Sequence, residues 1–365
     1  MDNRLTQQFA IFLALLLIVT LSGCSMTGDE RPQTAQATPQ PRQVDLFYAT
    51  DRAPAADGDL YFSGIRGDLS YGIAEISIPP DHVMGEHEEP SLLKLEWSPE
   101  EDKHISVRDV LKLNREAFIS RLGRAVEASP DNKLMVFVHG YNEEFPDTSR
   151  RVAQFANDLK FSAPVVLFSW PSQGGLTGYT VDETNAEWAQ AHFVELMSYL
   201  LEQLPVHSIY VVGHSMGNRI IGSAMITLSG DRLESDLMLF REIIMIAPDI
   251  DADVFRNDMA PRLARTGIHM TLYASSRDRA LMASKAFHGY PRAGDSGEAL
   301  VVVEGTETID ASDASGGLLG HSYYAEDRRI MEDIYGLLQT GQRADYRFGL
   351  EAIDSGLGRY WTFRK

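Results

Sequence analysis

Cysteine is almost absent from the sequence, since Cys24 is the only one in 365 residues. One cysteine excludes a disulfide within the chain, so the hydrophobic core alone has to hold the fold. Cationic side chains are also few: 33 Lys and Arg stand against 52 Asp and Glu, and the formal net charge is −19. A nucleic-acid-binding protein needs a basic surface that displaces counterions from phosphates. The charge balance therefore excludes a nucleic-acid partner.

The sequence has no hydrophobic run long enough to cross a bilayer. Its apolar stretch Phe9–Leu21 has thirteen residues, whereas a membrane-spanning helix needs about 20. The stretch follows a short polar head with Arg4 and ends in LSGC at residues 21–24. This pattern is typical of an export signal. The small residues before the cysteine resemble the lipobox of bacterial lipoproteins, in which the cysteine is lipidated.

We predict three segments from this arrangement. Residues 1–23 are a lipoprotein signal peptide, residues 24–43 are a flexible tether lipidated at Cys24, and residues 44–365 are a single domain. The tether is polar and contains several prolines, which is typical of an unfolded linker. By the usual enterobacterial sorting rule, Ser25 does not retain a lipoprotein in the inner membrane. We therefore expect an exported protein, lipid-anchored to the outer membrane of a Gram-negative bacterium and facing the periplasm.

Short apolar runs alternate with helical segments from Leu134 onward. The runs LMVFVHG, APVVLFSWPS, SIYVVGHS, EIIMIAPD, HMTLYASS and ALVVVEG are typical of strands buried on both faces. Strands that alternate with helices predict an α/β fold with a mostly parallel central sheet and helices on both faces. The earlier segments VDLFYATDRAP and YGIAEISIPP predict antiparallel strands, followed by a helix with apolar positions from Val107 to Val126. Only nineteen residues separate Asp249 from His269, which leaves no room for a separate cap domain.

Polar residues follow several of the predicted strands, at the edge of a parallel sheet where ligands bind. Ser215 lies in GHSMG at residues 213–217, between an apolar strand and a helical segment. This is the context of a nucleophile elbow, whose tight turn needs glycine on either side of the serine. A serine that attacks a carbonyl also needs two backbone donors for the oxyanion. The N–H groups of Met216 and of Tyr141, in the loop after LMVFV, fit both positions.

The chain order nucleophile, acid, histidine restricts the choice of base. Only three histidines follow Ser215: His269, His288 and His321. His269 lies inside an apolar strand, so we interpret it as structural. His321 lies between the last predicted strand and the C-terminal helix, where a loop can bring an imidazole over the serine. We predict His321 as the base, with His288 as the alternative.

The acid that orients this histidine can come from either of two strand ends. Asp278 ends the penultimate predicted strand, the usual source of the acid, and is our first choice. Asp249 and Asp251 end the preceding strand and are held in reserve. If they do not serve as the acid, we expect these residues to cap the following helix.

Four residues near the strand ends are candidates for the substrate pocket: His139, Asn142, Trp170 and Asp182. For Trp170 and Asp182, core packing and loop anchoring are the alternatives. The segment EHE at residues 86–88 lacks the H-E-x-x-H spacing of a zinc site. With no metal or nucleotide motif evident, we expect no metal and no cofactor.

Eight ordered motifs carry a resemblance to a known family: YATDRAP, IPPDHVMGEHEEP, VFVHGYNEEF, LFSWPSQG, GHSMGNRI, IAPDIDADVF, SSRDRAL and LGHSYY. They resemble the bacterial α/β-hydrolase family catalogued as domain of unknown function 900, in the esterase/lipase superfamily. The match runs from about Val44 to about Asp327. It implies an α/β-hydrolase fold and places Ser215, Asp278 and His321 where a catalytic triad is expected. It implies no substrate.

The expected function is that of a serine hydrolase acting on a carboxylic ester, thioester or amide through an acyl-enzyme on Ser215. The expected partners are a small-molecule or lipid-like acyl substrate and the membrane that holds the N-terminal lipid. Two alternatives stay open: a non-catalytic, membrane-tethered binding or scaffold lipoprotein, and an acyltransferase with the same triad. The sequence gives no oligomeric state.

Overall fold

The computed structural model describes residues 40–364 apart from 57, 91–95, 97, 174–177 and 315–324. From Gln40 onward the chain forms one compact unit. The predicted signal peptide, the predicted lipidation site Cys24 and the predicted base His321 lie outside the described residues. Within the described part, no helix combines the length and the apolar character that crossing a membrane requires.

The described residues contain one mixed sheet of eleven strands in the order β10-β11-β9-β8-β7-β6-β4-β5-β1-β2-β3. The strands are β1 Arg42–Pro54, β2 Phe62–Ile78, β3 Ser106–Leu113, β4 Lys133–Val138, β5 Val165–Ser169, β6 Ser208–His214, β7 Phe240–Ile246, β8 Met270–Ala274, β9 Thr306–Asp310, β10 Leu350–Ser355 and β11 Gly358–Phe363. All pairings from β11 to β1 are parallel. The pairings β1–β2, β2–β3 and β10–β11 are antiparallel. The predicted parallel sheet with N-terminal antiparallel strands is confirmed.

Helices cover both faces of the sheet. They are α1 Arg115–Ala128, α2 Phe145–Asp158, α3 Tyr179–Gln203, α4 Gly217–Asp231, α5 Glu234–Leu237, α6 Ala252–Val254, α7 Ala260–Ala264, α8 Arg279–His288 and α9 Arg328–Thr340. One apolar cluster joins the sheet to α1, α3 and α4, and a second joins it to α2 and α9. This two-sided burial explains why the central strands are apolar at nearly every position. Between Asp249 and His269 there is only the helical segment of α6 and α7, which a π-turn connects.

Two sequence predictions about elements were wrong, and one strand pair was not predicted. The apolar positions from Val107 were assigned to one helix, but the chain forms β3 before α1 begins. Ile76 pairs with Val107 and Glu75 pairs with Asp109, so the pairing shifts by one residue there. That irregularity breaks the alternation of β3 and mimics helical spacing. Asn114 then caps α1 by accepting the Ala117 N–H at 2.8 Å.

The other two differences concern the C-terminal third of the chain. ALVVVEG at residues 299–305 packs Leu300 and Val301 into the core without forming a strand, and the strand is the polar segment TETID that follows. The hairpin of β10 and β11 was not predicted at all. It extends the sheet beyond β9 through parallel pairs such as Trp361 with Ile309.

Candidate active site

Ser215 occupies a strained turn between β6 and α4. Its φ is 51°, in the left-handed region that a serine rarely adopts. Gly217 permits the turn, because a Cβ there would lie 2.4 Å from the His139 carbonyl oxygen and 2.6 Å from that of Val138. A backbone outlier of this kind costs about 1–3 kcal/mol and persists only when its surroundings enforce it. The turn therefore has the geometry that a nucleophile elbow requires.

Hydrogen bonds to the Ser215 carbonyl oxygen enforce this conformation. The backbone N–H of Asn218 donates at 3.1 Å, the Asn218 side-chain amide at 3.2 Å and the Asp249 N–H at 3.2 Å. The same Asn218 amide also lies 3.2 Å from the Ile246 carbonyl, at the end of β7. Asn218 was missed in the sequence, although it directly follows the second glycine of the elbow.

The loop after β4 approaches the serine closely. A Cβ on Gly140 would lie 2.9 Å from the Cβ of Ser215, so only glycine allows this approach. Tyr141 and Asn142 follow, and Asn142 has a φ of 61°. The left-handed residue turns the loop sharply over the elbow. The structure thus brings the two predicted oxyanion donors, the N–H groups of Tyr141 and Met216, into neighbouring backbone segments.

Buried polar groups stabilise the loop after β4. The Asp182 carboxylate accepts hydrogen bonds from the Ser172 hydroxyl at 2.6 Å, the Gln173 N–H at 2.9 Å and the Asn142 N–H. Burial raises the pKa of Asp182, and these donors oppose the rise. His139 stacks on Trp170 with an interplanar angle of 6°. The four predicted pocket residues thus lie in and beneath the loop that borders the elbow, with His139, Trp170 and Asp182 buried.

Arg52, at the end of β1, connects the loops after β4 and β5. Its guanidinium donates to the Ser169 hydroxyl at 2.9 Å, the Ser172 carbonyl at 3.0 Å and the Glu143 carbonyl at 2.7 Å. It also lies 3.3 Å from Nε2 of His139. Burial lowers the pKa of Arg52 to about 10. The sequence did not identify Arg52, whose only signal is its place in the motif YATDRAP.

Burial also affects the imidazole next to this guanidinium. It lowers the pKa of His139 well below its usual value, and the charge of Arg52 lowers it further. His139 is therefore neutral at pH 7. It lies among the buried groups that stabilise the loop after β4, where it contacts Trp170 and the guanidinium of Arg52.

Asp278 lies after β8 and is buried. In the sheet register His214 pairs with Ile246, and Ile246 pairs with Tyr273, so the segments after β6, β7 and β8 leave the sheet at one edge. Asp278 also caps α8, since its carboxylate accepts the Leu281 N–H at 3.0 Å. His321, the histidine that this acid was predicted to orient, lies outside the described residues.

The reserve acids have other partners. Asp249 is buried and accepts hydrogen bonds from Tyr179, from Ser284 at 2.7 Å and from Arg292 at 2.7 Å. Burial would raise the pKa of Asp249, but Arg219 and Arg292 outweigh it and lower the pKa.

Asp251 caps α6, as the alternative interpretation expected. Its carboxylate accepts the N–H groups of Asp253 at 2.9 Å and Val254 at 3.1 Å. This is the position of an N-cap residue, whose acceptor satisfies the free donors of the first turn.

The two alternative histidines also have defined positions. His288 ends α8, where Nδ1 lies 2.8 Å from the Ser284 carbonyl oxygen and Nε2 lies 2.9 Å from Glu183. His269 is exposed and precedes β8, at the strand end opposite the elbow. His269 and Ser215 therefore lie at opposite ends of the parallel strands.

A cavity of about 330 Å³ opens beside the serine. Most of its wall is apolar and comes from α8 and two tyrosines. Its lining among the described residues is Tyr141, Tyr179, Ser215, Asp249, Ala280, Leu281, Ala283, Ser284 and Phe287. The polar atoms of Tyr179, Asp249 and Ser284 hydrogen-bond to one another, so they leave the cavity suited to an apolar group.

The described residues contain no cluster of three or more His, Cys, Asp or Glu side chains that could hold a metal ion. A parallel sheet, a strained serine at the first turn of a helix and a neighbouring glycine loop are the features of the α/β-hydrolase class. A family model described as "Alpha/beta hydrolase of unknown function (DUF900)" matches residues 114–339. The chain belongs to this family, which confirms the resemblance found in the sequence over the matched residues. The motifs YATDRAP and IPPDHVMGEHEEP precede the matched range.

Other comparisons give distant similarities. A 56-residue segment, 15% of each chain, is 38% identical to an uncharacterized protein of Nostoc sp.. A poly(3-hydroxybutyrate) depolymerase from Bordetella parapertussis is 11% identical, with a TM-score of 0.35 over 85% of this chain and 92% of that one. An esterase from Pyrobaculum calidifontis is 11% identical, with a TM-score of 0.33 over 93% and 94%.

Proposed function

We propose that the protein is a serine hydrolase that cleaves carboxylic ester, thioester or amide bonds through an acyl-enzyme on Ser215. The observation that carries the proposal is the left-handed φ of 51° at Ser215, held by Asn218 and by the Asp249 N–H beside an apolar cavity. A serine with only a packing role has no need for this strain. The cavity supplies a place for the acyl or leaving group.

The reaction uses two half-steps on the same serine. His321 removes the hydroxyl proton of Ser215 as Oγ bonds to the substrate carbonyl carbon, and the N–H groups of Met216 and Tyr141 stabilise the oxyanion. When the tetrahedral intermediate collapses, the imidazolium gives its proton to the leaving group. Water, deprotonated by the same imidazole, then attacks the acyl carbon. The bond between this carbon and Oγ breaks, the imidazolium returns its proton to Oγ, and the acid leaves. Asp278 orients His321 and stabilises its positive charge.

Asp278 is favoured as the acid because of what surrounds the alternative. The carboxylate of Asp249 is enclosed by Arg219, Arg292 and the hydroxyls of Tyr179 and Ser284. A carboxylate already neutralised by two guanidinium groups stabilises an imidazolium poorly. Asp249 supports the elbow through its backbone N–H instead.

The proposal is tested by hydrolysis of a panel of p-nitrophenyl esters, thioesters and peptides. Ser215→Ala and His321→Ala should each lower kcat by several orders of magnitude, because members of a triad act as a unit. The matched controls are Ser229→Ala, in α4 but away from the elbow, and His269→Ala, at the opposite strand ends. Both controls should retain turnover. Undiminished hydrolysis in Ser215→Ala would overturn the proposal, and product formed with added alcohols would identify acyl transfer.

We further propose that Cys24 carries lipid and holds the domain at the outer membrane. The support is the apolar stretch Phe9–Leu21 followed by LSGC. Incorporation of radiolabelled palmitate should disappear in Cys24→Ala, with the variant recovered in the soluble fraction. Palmitate incorporation that persists in the variant would contradict the proposed anchor.

A further inference from the structure

The helix that forms one wall of the cavity also exposes an apolar face. On α8 the side chains of Met282, Ala283, Ala286 and Phe287 are all exposed. At about 100° per residue they fall within an arc of about 140°, so they form one stripe. Tyr290 follows directly after the helix. Met282, Phe287 and Tyr290 are 55%, 65% and 64% exposed, which is unusual for three large apolar side chains so close together.

The other side of α8 explains why this helix keeps its orientation. Leu281 and Ser284 are buried, and Asp278 caps the first turn. Gly289, with a φ of 80°, ends the helix in a left-handed C-cap. Both ends are therefore fixed, and the exposed stripe is a permanent feature of the folded surface.

The charge of α8 is opposite to that of the chain. The helix contains Arg279 and Lys285 and no acid, in a protein with a formal net charge of −19. Arg279 is exposed one turn before Met282, on the same face as the apolar stripe. Lys285 lies 4.0 Å from Asp295, and Arg277, before the helix, lies 4.0 Å from Asp313. These long pairs leave the cations accessible to other anions.

An apolar stripe flanked by Lys and Arg is the pattern of a helix that lies in the interface of an anionic bilayer. We propose that the exposed face of α8 docks on a phospholipid bilayer with anionic headgroups, and that the hydrolase acts on esters of membrane-resident amphiphiles. The substrate class rests on the serine-hydrolase function proposed above. Because Phe287 contributes to both the stripe and the cavity lining, an acyl chain can pass from the bilayer to Ser215 along one apolar surface.

The length of the N-terminal segment is compatible with this docking. Sixteen residues lead from the predicted lipidated Cys24 to Gln40, and when extended they reach about 55 Å. A domain of this size has a radius of gyration of about 20 Å. The tether is therefore long enough to let the edge of the sheet that carries α8 face the bilayer.

Docking is tested by site-directed fluorescence on the full chain. An environment-sensitive dye is attached at Met282→Cys and, as the matched control, at Leu233→Cys, which is 73% exposed and precedes β7 at the opposite edge. The parent protein reports any labelling of Cys24. With vesicles of phosphatidylcholine and phosphatidylglycerol, only the dye at position 282 should shift to the blue and be quenched by brominated lipid. Equal responses at both positions, or no quenching at position 282, would overturn the proposal, as would a blue shift that depends on protein concentration without vesicles.

A second experiment tests whether docking is needed for turnover of a membrane-bound substrate. Met282→Asp combined with Tyr290→Asp should leave hydrolysis of a soluble short-chain ester unchanged and lower hydrolysis of a vesicle-borne ester by about tenfold or more. Met238→Asp, at the opposite edge, should change neither rate. An equal loss on both substrates, or no loss on vesicles, contradicts the proposal. Failure of the hydrolase function itself would appear separately, as an absence of turnover on every substrate while the fluorescence still reports docking.

Discussion

At the scale of single residues, the site depends on how little space surrounds the Ser215 turn. Ser215 is left-handed, a Cβ on Gly140 would collide with the Cβ of Ser215, and a Cβ on Gly217 would collide with two carbonyl oxygens at the end of β4. Asn218 completes the turn with hydrogen bonds to Ser215 and Ile246. The constraints at Gly140 and Gly217 come from backbone and Cβ atoms, and the amide nitrogen of Asn218 bridges two backbone carbonyl oxygens. The position of Ser215, the proposed nucleophile, is therefore fixed by packing as much as by hydrogen bonding.

A methyl group at Gly217 should disrupt this turn. Gly217→Ala places a Cβ 2.4 Å from a backbone carbonyl oxygen, which cannot move without shifting β4. We expect a loss of about 2 kcal/mol or more in the free energy of unfolding. The matched control is Gly230→Ala in the same helix, where a Cβ meets nothing within 4 Å. Denaturant unfolding of both variants is the measurement, and equal stabilities would contradict the packing argument.

At the scale of elements, the strand ends bring the site together and Arg52 fixes the loops between them. The guanidinium reaches the loop after β4 through Glu143 and the loop after β5 through Ser172. Its planar donors suit three separate acceptors, which a lysine ammonium cannot match in the same geometry. In the proposed mechanism, Arg52 therefore positions the loop that carries Tyr141, one of the two proposed oxyanion donors, and is itself a positioning residue.

Arg52→Lys should lower kcat by about 10- to 100-fold with little change in KM, because a displaced donor weakens the transition state more than the bound substrate. The control is Arg359→Lys on β11, whose partner Asp354 lies on β10, at the opposite edge of the sheet from β1. Steady-state kinetics on a soluble ester, with a thermal melt of each variant, separate positioning from unfolding. A rise in KM at constant kcat would contradict this role for Arg52.

The sequence predicts these elements well where the hydrophobic pattern is regular. It predicts them poorly where strand pairing or tertiary packing determines the structure. The buried runs of β4 to β8 and the GHSMG turn follow from pattern alone. β3 was missed because a pairing irregularity disturbs its alternation, and β9 because its residues TETID are polar. Arg52 and Asn218 could not be identified, since their roles depend on contacts between segments far apart in the chain.

At the scale of the whole molecule, buried ion pairs connect peripheral loops to the core. His82, after β2, lies 2.6 Å from Asp158 at the end of α2 and 2.8 Å from Glu88. Burial would lower the pKa of His82, but the two carboxylates outweigh it and raise the pKa to about 9. The charged imidazole therefore stabilises the folded state and connects the loop after β2 to α2.

This pair predicts a pH dependence of stability. The pKa of His82 is raised from 6.5 to about 9, so its contribution is fully present below pH 6.5 and is lost as the pH rises through about 9. Because His82 is only partly buried, solvent screening reduces its contribution to about 1–2 kcal/mol. His82→Gln should reduce the melting temperature most near pH 6 and least above pH 9. A difference between wild type and His82→Gln that stays constant from pH 6 to 10 would contradict the prediction.

The central claim, that Ser215 is the nucleophile, is tested most directly by fluorophosphonate labelling of the intact protein followed by peptide mapping. The phosphonyl group should appear on the peptide that contains Ser215, and ester hydrolysis should fall in proportion to the labelled fraction. The Ser215→Ala variant should remain unlabelled. Labelling that survives this substitution, or hydrolysis that continues in fully labelled protein, would contradict the account.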